Sequence, residues 1–118
     1  ILIPFLNESE NISFLIGALK KFCVENHHLK IEVIFIDDGS KDNSFEMLKS
    51  SSISECQAKI IKLSQNYGSH AALRAGISHA KGSYITFMYA DLQDPLELIN
   101  LLYDEIQKDN KEIVWAVR

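Results

Sequence analysis

Ile31-Glu32-Val33-Ile34-Phe35-Ile36 is a run of β-branched and aromatic residues that ends abruptly in Asp37-Asp38-Gly39-Ser40-Lys41-Asp42. A short, almost wholly apolar run of this kind reads as a strand buried on both faces, the type found in parallel sheets covered by helices. Four more runs share its composition: Ile1-Leu2-Ile3-Pro4-Phe5, Ala58-Lys59-Ile60-Ile61-Lys62-Leu63, Ser83-Tyr84-Ile85-Thr86-Phe87-Met88 and Glu112-Ile113-Val114-Trp115-Ala116-Val117. Between them the period changes to that of a helix. Ile12, Leu15, Ile16, Leu19, Phe22 and Cys23 form one amphipathic stripe. Phe45 and Leu48 begin a shorter helix that the Ser50-Ser51-Ser52 run weakens, and Ala71 to Ala80 is an Ala-rich helix stopped at Lys81-Gly82. Ile99, Leu102, Tyr103 and Ile106 mark a fourth, with Asp94 expected as N-cap, Pro95 at the first helical position and Glu97 closing a capping box. Strand and helix alternate four times and a fifth strand closes the series. The expected fold is α/β, a Rossmann-like open, mostly parallel sheet with helices on both faces.

The 118 residues, 47% hydrophobic and 24% charged, suffice for one packed domain and exclude disorder. Twelve Lys and Arg against 16 Asp and Glu give a net charge of -4. No Lys/Arg cluster interrupts this acidic balance, which argues against nucleic acid and against a polybasic membrane contact. No apolar stretch is long enough to span a bilayer, and no signal segment opens the chain. Cys23 and Cys56 occur without a CxxC and read as reduced core thiols. The chain opens at Ile1, inside an apolar run and without an initiator Met, so the expectation is a single domain over 1–118 within a longer protein.

Ligands of open α/β sheets bind beyond the carboxyl ends of the strands. Polar residues collect there: Asn7-Glu8-Ser9-Glu10-Asn11, Asp37 to Asp42, Ser64-Gln65-Asn66-Tyr67-Gly68-Ser69-His70, and Tyr89-Ala90-Asp91-Leu92-Gln93-Asp94. No GxGxxG follows the first strand and no GxxxxGK[ST] occurs, which argues against a Rossmann-bound dinucleotide and excludes a P-loop. Carboxylates suit hydroxyl and N–H donors, or a hard cation such as Mg²⁺ or Mn²⁺ that bridges a diphosphate. Plain structural roles compete with these. Asp37 to Ser40 could be a turn with a cap; Ser9 could cap the first helix with Asn7 and Glu8 ahead of it; Asp94 is explained by capping alone. Two adjacent acids after a buried strand repel, which favours a function for at least one of Asp37 and Asp38. His27, His28 and His79 read as solvated helix-end residues, His70 as a weak ligand candidate. Trp115 and the other aromatics have the spacing of core residues.

In register along the whole chain, these motifs resemble the nucleotide-sugar-binding part of family 2, GT-A-fold inverting glycosyltransferases. Ile3-Pro4-Phe5-Leu6-Asn7-Glu8 resembles "IPVYNE", and Ile36-Asp37-Asp38-Gly39-Ser40-Lys41-Asp42 resembles "IDDGSTD". Leu63 to Gly68 with Ala71 to Gly76 is similar to "LSRNFGKEAALLAG". Ala90-Asp91-Leu92-Gln93-Asp94-Pro95 is similar to "ADLQDPP", and Val114-Trp115-Ala116-Val117-Arg118 to "VVYGVR". Within the group the chain looks most like the polyprenyl-phosphate sugar transferases of the dolichol-phosphate mannose synthase and bactoprenol glucosyltransferase types.

The resemblance implies that Pro4, Leu6, Glu8 and Ala90 line a nucleotide-sugar pocket, that Asp37 and Asp38 bind base and ribose, and that Gly68 lets the backbone approach the nucleotide. Asp91, the second acid of the family's DxD, would serve catalysis by stabilising the leaving group through Mg²⁺ or Mn²⁺. Gln93 would be a further metal ligand, and Arg118 would meet a phosphate. The implied partners are a UDP- or GDP-linked sugar and a polyprenyl phosphate or glycan acceptor, at the cytoplasmic face of a membrane touched only through further segments of the protein. Transfer to a hydroxyl acceptor in polysaccharide or lipopolysaccharide synthesis, and nucleotide-sugar binding without turnover, are the alternative readings. No residue stands out as a general base. The chain departs from the pattern at Tyr89, where an acid is usual, and at Leu6, where an aromatic is common.

Overall fold

The computed structural model describes residues 1–117. In chain order the elements are β1 (Leu2–Phe5), α1 (Ser9–Glu25), β2 (Glu32–Asp37), α2 (Ser44–Ser50), β3 (Gln57–Lys62), α3 (Ser69–His79) and α4 (Glu97–Lys108). β2 lies between β1 and β3 and pairs with both in parallel, Leu2 opposite Ile34 and Phe35 opposite Ile60. The central run therefore takes the central place, buried from Val33 to Asp37.

Alternation along the strands divides the core in two. Ile3, Phe5, Val33 and Phe35 pack with Ile12, Leu15, Leu19 and Phe22 of α1 and with Leu48 of α2 on one face. Leu2, Ile34 and Ile36 meet Ala72 of α3 on the other. Helices on both faces of an open parallel sheet are thus observed as expected. Gly76 sets the approach of α3, because a Cβ there would stand 2.9 Å from Ile36 Cδ1. Cys23 is buried and Cys56 half-buried, both as free thiols. Burial, then a hydrogen bond with Cys56, pushes the Cys23 thiol up to about 12. No helix among the described residues is long and apolar enough to cross a membrane.

Several expectations need correction. Residues 83–88 form no full strand: Phe87 makes a single parallel bridge to Leu2, with Leu2 N–H donating to Thr86 O at 2.8 Å and Met88 N–H to Leu2 O at 3.0 Å. Residues 112–117 form no strand at all, and Trp115 is 74% exposed rather than in the core. Both segments have strand-like composition, but β-propensity is realised only against a partner, and no described strand lies beyond 83–88 to supply one. At the helix starts, Glu8 rather than Ser9 holds the cap position of α1. α4 opens at Glu97 with Leu96 before it, two residues later than the Asp94-Pro95 signal predicts, because single turns from Pro95 and Leu96 carbonyls precede it.

Candidate functional site

The carboxyl end of β2 is where the loops meet. Asp37, its last residue, is fully buried; Oδ1 accepts the Ser40 N–H at 2.8 Å, while Oδ2 is buried with no hydrogen-bond partner. Asp38 turns the other way and is 5% exposed. Its Oδ1 accepts the Tyr67 N–H at 2.8 Å and its Oδ2 the Gly68 N–H at 3.0 Å, so one carboxylate holds the loop between β3 and α3. Gly39, at φ 83, completes the contact. A Cβ there would lie 2.6 Å from Asn66 N and from Gln65 C, so glycine alone lets the two loops touch. Gly68, at φ 95, has nothing within 4 Å of its missing side chain; it is required by backbone shape, not by crowding.

A second set of bonds ties the loop after β1 to the loop after β2. Asn7, in the left-handed region at φ 53, donates its N–H to Ser40 Oγ at 2.9 Å and accepts the Lys41 N–H on Oδ1 at 2.8 Å. Glu8 N–H donates to Ser44 Oγ at 2.9 Å and Ser9 N–H to Asp42 Oδ2 at 3.1 Å. Two N–H groups at the start of α1 are therefore satisfied by side chains 33 and 36 residues away, from the loop after β2 and the first turn of α2. Asp42 also accepts from the Ser44 N–H and hydroxyl. Burial pushes its carboxyl up, but the bonds from Ser44 and Ser9 outweigh this and hold it at about 2. The Glu8 carboxylate accepts from Asn11 Nδ2 at 2.8 Å. Asp42, quoted above only as the end of the polar run after β2, and the buried Ser44 carry this junction; no periodicity in the sequence marks Ser44 as buried.

The fourth loop arrives beside β1. It follows the single bridge of Phe87 to Leu2 and the bond from Met88 N–H to Leu2 O. Ala90 is buried, whereas Asp91 and Gln93 on either side of Leu92 are exposed, with Asp91 Oδ1 accepting the Gln93 N–H at 3.2 Å. Tyr89 is 50% exposed, its ring edge-on to Phe87. Leu6 is exposed at the rim, while Pro4 is buried inside β1 opposite Ile36. His70 lies exposed at the start of α3, and Arg118 lies outside the described residues.

Four loops thus share one rim, three of them hydrogen-bonded together. Among the described residues no group of three His, Cys, Asp or Glu side chains could hold a metal by itself. The exposed Asp91 and Gln93 carry the oxygen-donor chemistry that a hard cation takes.

The whole chain, residues 1–118, matches the model of glycosyl transferase family 2. It is 41% identical over 120 residues to the uncharacterized glycosyltransferase sll0501 of Synechocystis sp., and 40% identical over 118 residues to the uncharacterized glycosyltransferase YkcC of Bacillus subtilis. All of the chain and 36% of each relative are covered, so it spans about a third of their length. In structure it is similar to S. aureus TarS residues 1–349, with a TM-score of 0.73 at 19% identity over 92% of this chain and 32% of that one. The same TarS segment in complex with UDP-GlcNAc gives 0.68 at 17% identity, over 97% and 36%. The fold is of the GT-A type, and the chain belongs to glycosyl transferase family 2.

Proposed function

We propose that this chain is the nucleotide-sugar-binding domain of an inverting glycosyltransferase that moves a sugar from a nucleoside diphosphate onto a polyprenyl phosphate. The observation that carries this reading is the convergence at one rim of the loops after β1, β2 and β3, with Asn7 bonded to Ser40 and Asp38 to the backbone of Gly68. Asp38 accepts the N–H and hydroxyl groups of base and ribose, whereas Asp37, fully buried, fixes Ser40 of the same loop behind it. Each Asp38 oxygen already takes one backbone N–H and keeps a second lone pair for the ligand. Leu6 and Glu8 flank the nucleotide at the end of β1, with Pro4 and Ala90 as the apolar floor beneath it. Gly68 leaves open space for close backbone approach. That TarS 1–349, similar in fold, was solved in complex with UDP-GlcNAc and with UDP supports a nucleotide-sugar ligand.

Asp91 and Gln93 would hold Mg²⁺ or Mn²⁺ together with the diphosphate, and the ion, when bound, supplies positive charge against the leaving group. Tyr89 contributes no carboxylate, so the protein's share of that charge balance rests on Asp91. Arg118 would pair with a phosphate. A polyprenyl phosphate is already an anionic nucleophile and needs little general-base help. In the whole protein the domain would work at the cytoplasmic face of a membrane. Calorimetric titration with UDP and with GDP, each with and without Mn²⁺, tests the reading. One nucleotide should bind, Mn²⁺ should tighten it, Asp38→Ala should weaken binding in both conditions and Asp91→Ala only the metal-dependent part. Binding of neither nucleotide under any condition would refute it.

A further inference from the structure

The two faces of the segment beside β1 differ. Met88 and Ala90 lie on the α1 side, buried in one cluster with Ile3, Phe5 and Leu96. Phe87 stands on the opposite side with its bridge partner Leu2, and by alternation Ile85 shares that side. Leu2 is 2% exposed because α3 covers it: a Cβ on Gly76 would stand 3.2 Å from Leu2 Cδ2. Past Leu2 that cover ends. Ile85 is 49% and Phe87 46% exposed, with the Tyr89 ring edge-on to Phe87 at the rim end. The sheet is thus closed on both faces at β1 and β2, and on one face only beside them.

Parallel sheets of α/β proteins are covered on both faces, because each strand carries large apolar side chains to either side. Nothing among the described residues supplies the missing cover: α3 packs on Leu2, Ile34 and Ile36, while α1, α2 and Ile99 of α4 pack on the other face. All of this chain matches only 36% of each curated relative, so such proteins carry ample further chain. The run 112–117 also lacks a strand partner, with Trp115 exposed, whereas β1 is paired on one side and bridged on the other. The unmet demand for partners therefore sits late in the sequence. An acidic chain without a Lys/Arg cluster is a poor seat for an anionic bilayer. A tethered segment also outcompetes a second copy through its higher effective concentration. We propose that a segment of the whole protein following residue 118 packs over Ile85 and Phe87 beside α3, extending the second core cluster past Leu2.

The test is hydroxyl-radical footprinting of the full-length wild-type protein, read residue by residue by mass spectrometry against the same protein unfolded in urea. Phe14 of α1, 74% exposed, is the reference. At 46% against 74% exposure, Phe87 and Phe14 should react comparably if nothing covers Phe87. Under the proposal Phe87 is protected about tenfold or more relative to the unfolded protein, and Ile85 with it. A photo-crosslinker, Phe87→p-benzoylphenylalanine, then identifies the cover. A crosslink to a peptide of the same molecule beyond residue 118 is the expected result. Labelling of Phe87 comparable to that of Phe14 would overturn the proposal. So would protection accompanied by crosslinks only within residues 1–118, to chain ahead of Ile1, to a second copy or to lipid, or by no crosslink at all.

Discussion

Asp38 reaches across from the end of β2 to hold Gly68: its Oδ2 accepts the Gly68 N–H at 3.0 Å while Oδ1 accepts the neighbouring Tyr67 N–H at 2.8 Å. An acid of the second loop thus shapes the third before any ligand arrives. Preorganisation of this kind lowers the ordering cost of binding. It gives Asp38 two separable effects, one on the free protein and one on the complex.

Asp38→Ala should therefore destabilise the free domain by about 2 kcal/mol, since two backbone N–H groups lose a charged acceptor. Chemical denaturation reads that loss. Amide exchange at Tyr67 and Gly68 should quicken in the absence of nucleotide, which a pure ligand role for Asp38 does not produce. An unchanged exchange pattern with weakened nucleotide binding would show that the carboxylate serves the ligand alone.

Gly39 and Gly68 both have positive φ, yet alanine at the two positions should behave differently. At Gly68 the added methyl meets nothing within 4 Å, so only backbone strain opposes it, about 1–3 kcal/mol. At Gly39 the same strain is joined by a 2.6 Å clash with the backbone of Gln65 and Asn66. Gly39→Ala should lower the thermal midpoint clearly more than Gly68→Ala and displace the third loop. Equal losses would mean that the loops part without resistance.

Acid should act on the first two loops through Asp42. Its folded pKa, about 2, lies below the unfolded value near 3.9, so its contribution is complete above that value and disappears as pH falls through about 2. Asp42 is exposed, and solvent screening limits the contribution to about 1 kcal/mol or less. Glu32, held low first by its hydrogen bond to Lys59, titrates in the same direction, so wild type and variant must be compared. Urea unfolding from pH 5 to pH 2 should show a shallower loss in Asp42→Asn than in wild type. Parallel curves would remove Asp42 from the acid response.

Much of this architecture was legible before the structure because it rests on local pattern. The apolar run of β2, the stripe of α1 and the Ala-rich α3 each declare their environment in consecutive residues. The rim was legible too, as polar clusters after apolar runs. The division of labour within it was not. Asp38 and Asp42 serve backbone N–H groups up to 33 residues away, and no periodicity encodes a bond between loops. The segments 83–88 and 112–117 failed for the opposite reason: their composition is that of strands, but pairing is a property of neighbours, and Trp115 is left exposed where a partnered strand would bury it. The left-handed turn at Leu92 was equally invisible, because nothing about leucine announces positive φ.

Tyr89 offers the most direct probe of the Asp91 loop. Half exposed, it is engaged edge-on with Phe87, so Tyr89→Asp should leave the fold intact at a cost of about 1 kcal/mol. The new carboxylate would stand two residues from Asp91 at the end of the segment beside β1, where a second hard oxygen ligand strengthens cation binding. Mn²⁺ affinity in the presence of nucleotide should rise about tenfold, roughly 1.4 kcal/mol by the usual conversion. If turnover appears only in this variant, the natural chain binds nucleotide sugars without transferring them. If both forms turn over and only the Mn²⁺ dependence differs, one acid suffices, and Tyr89 sets how much of the cation's coordination must come from the diphosphate. A variant with unaltered Mn²⁺ affinity would show that residue 89 does not face the cation, and would remove the DxD reading of this loop.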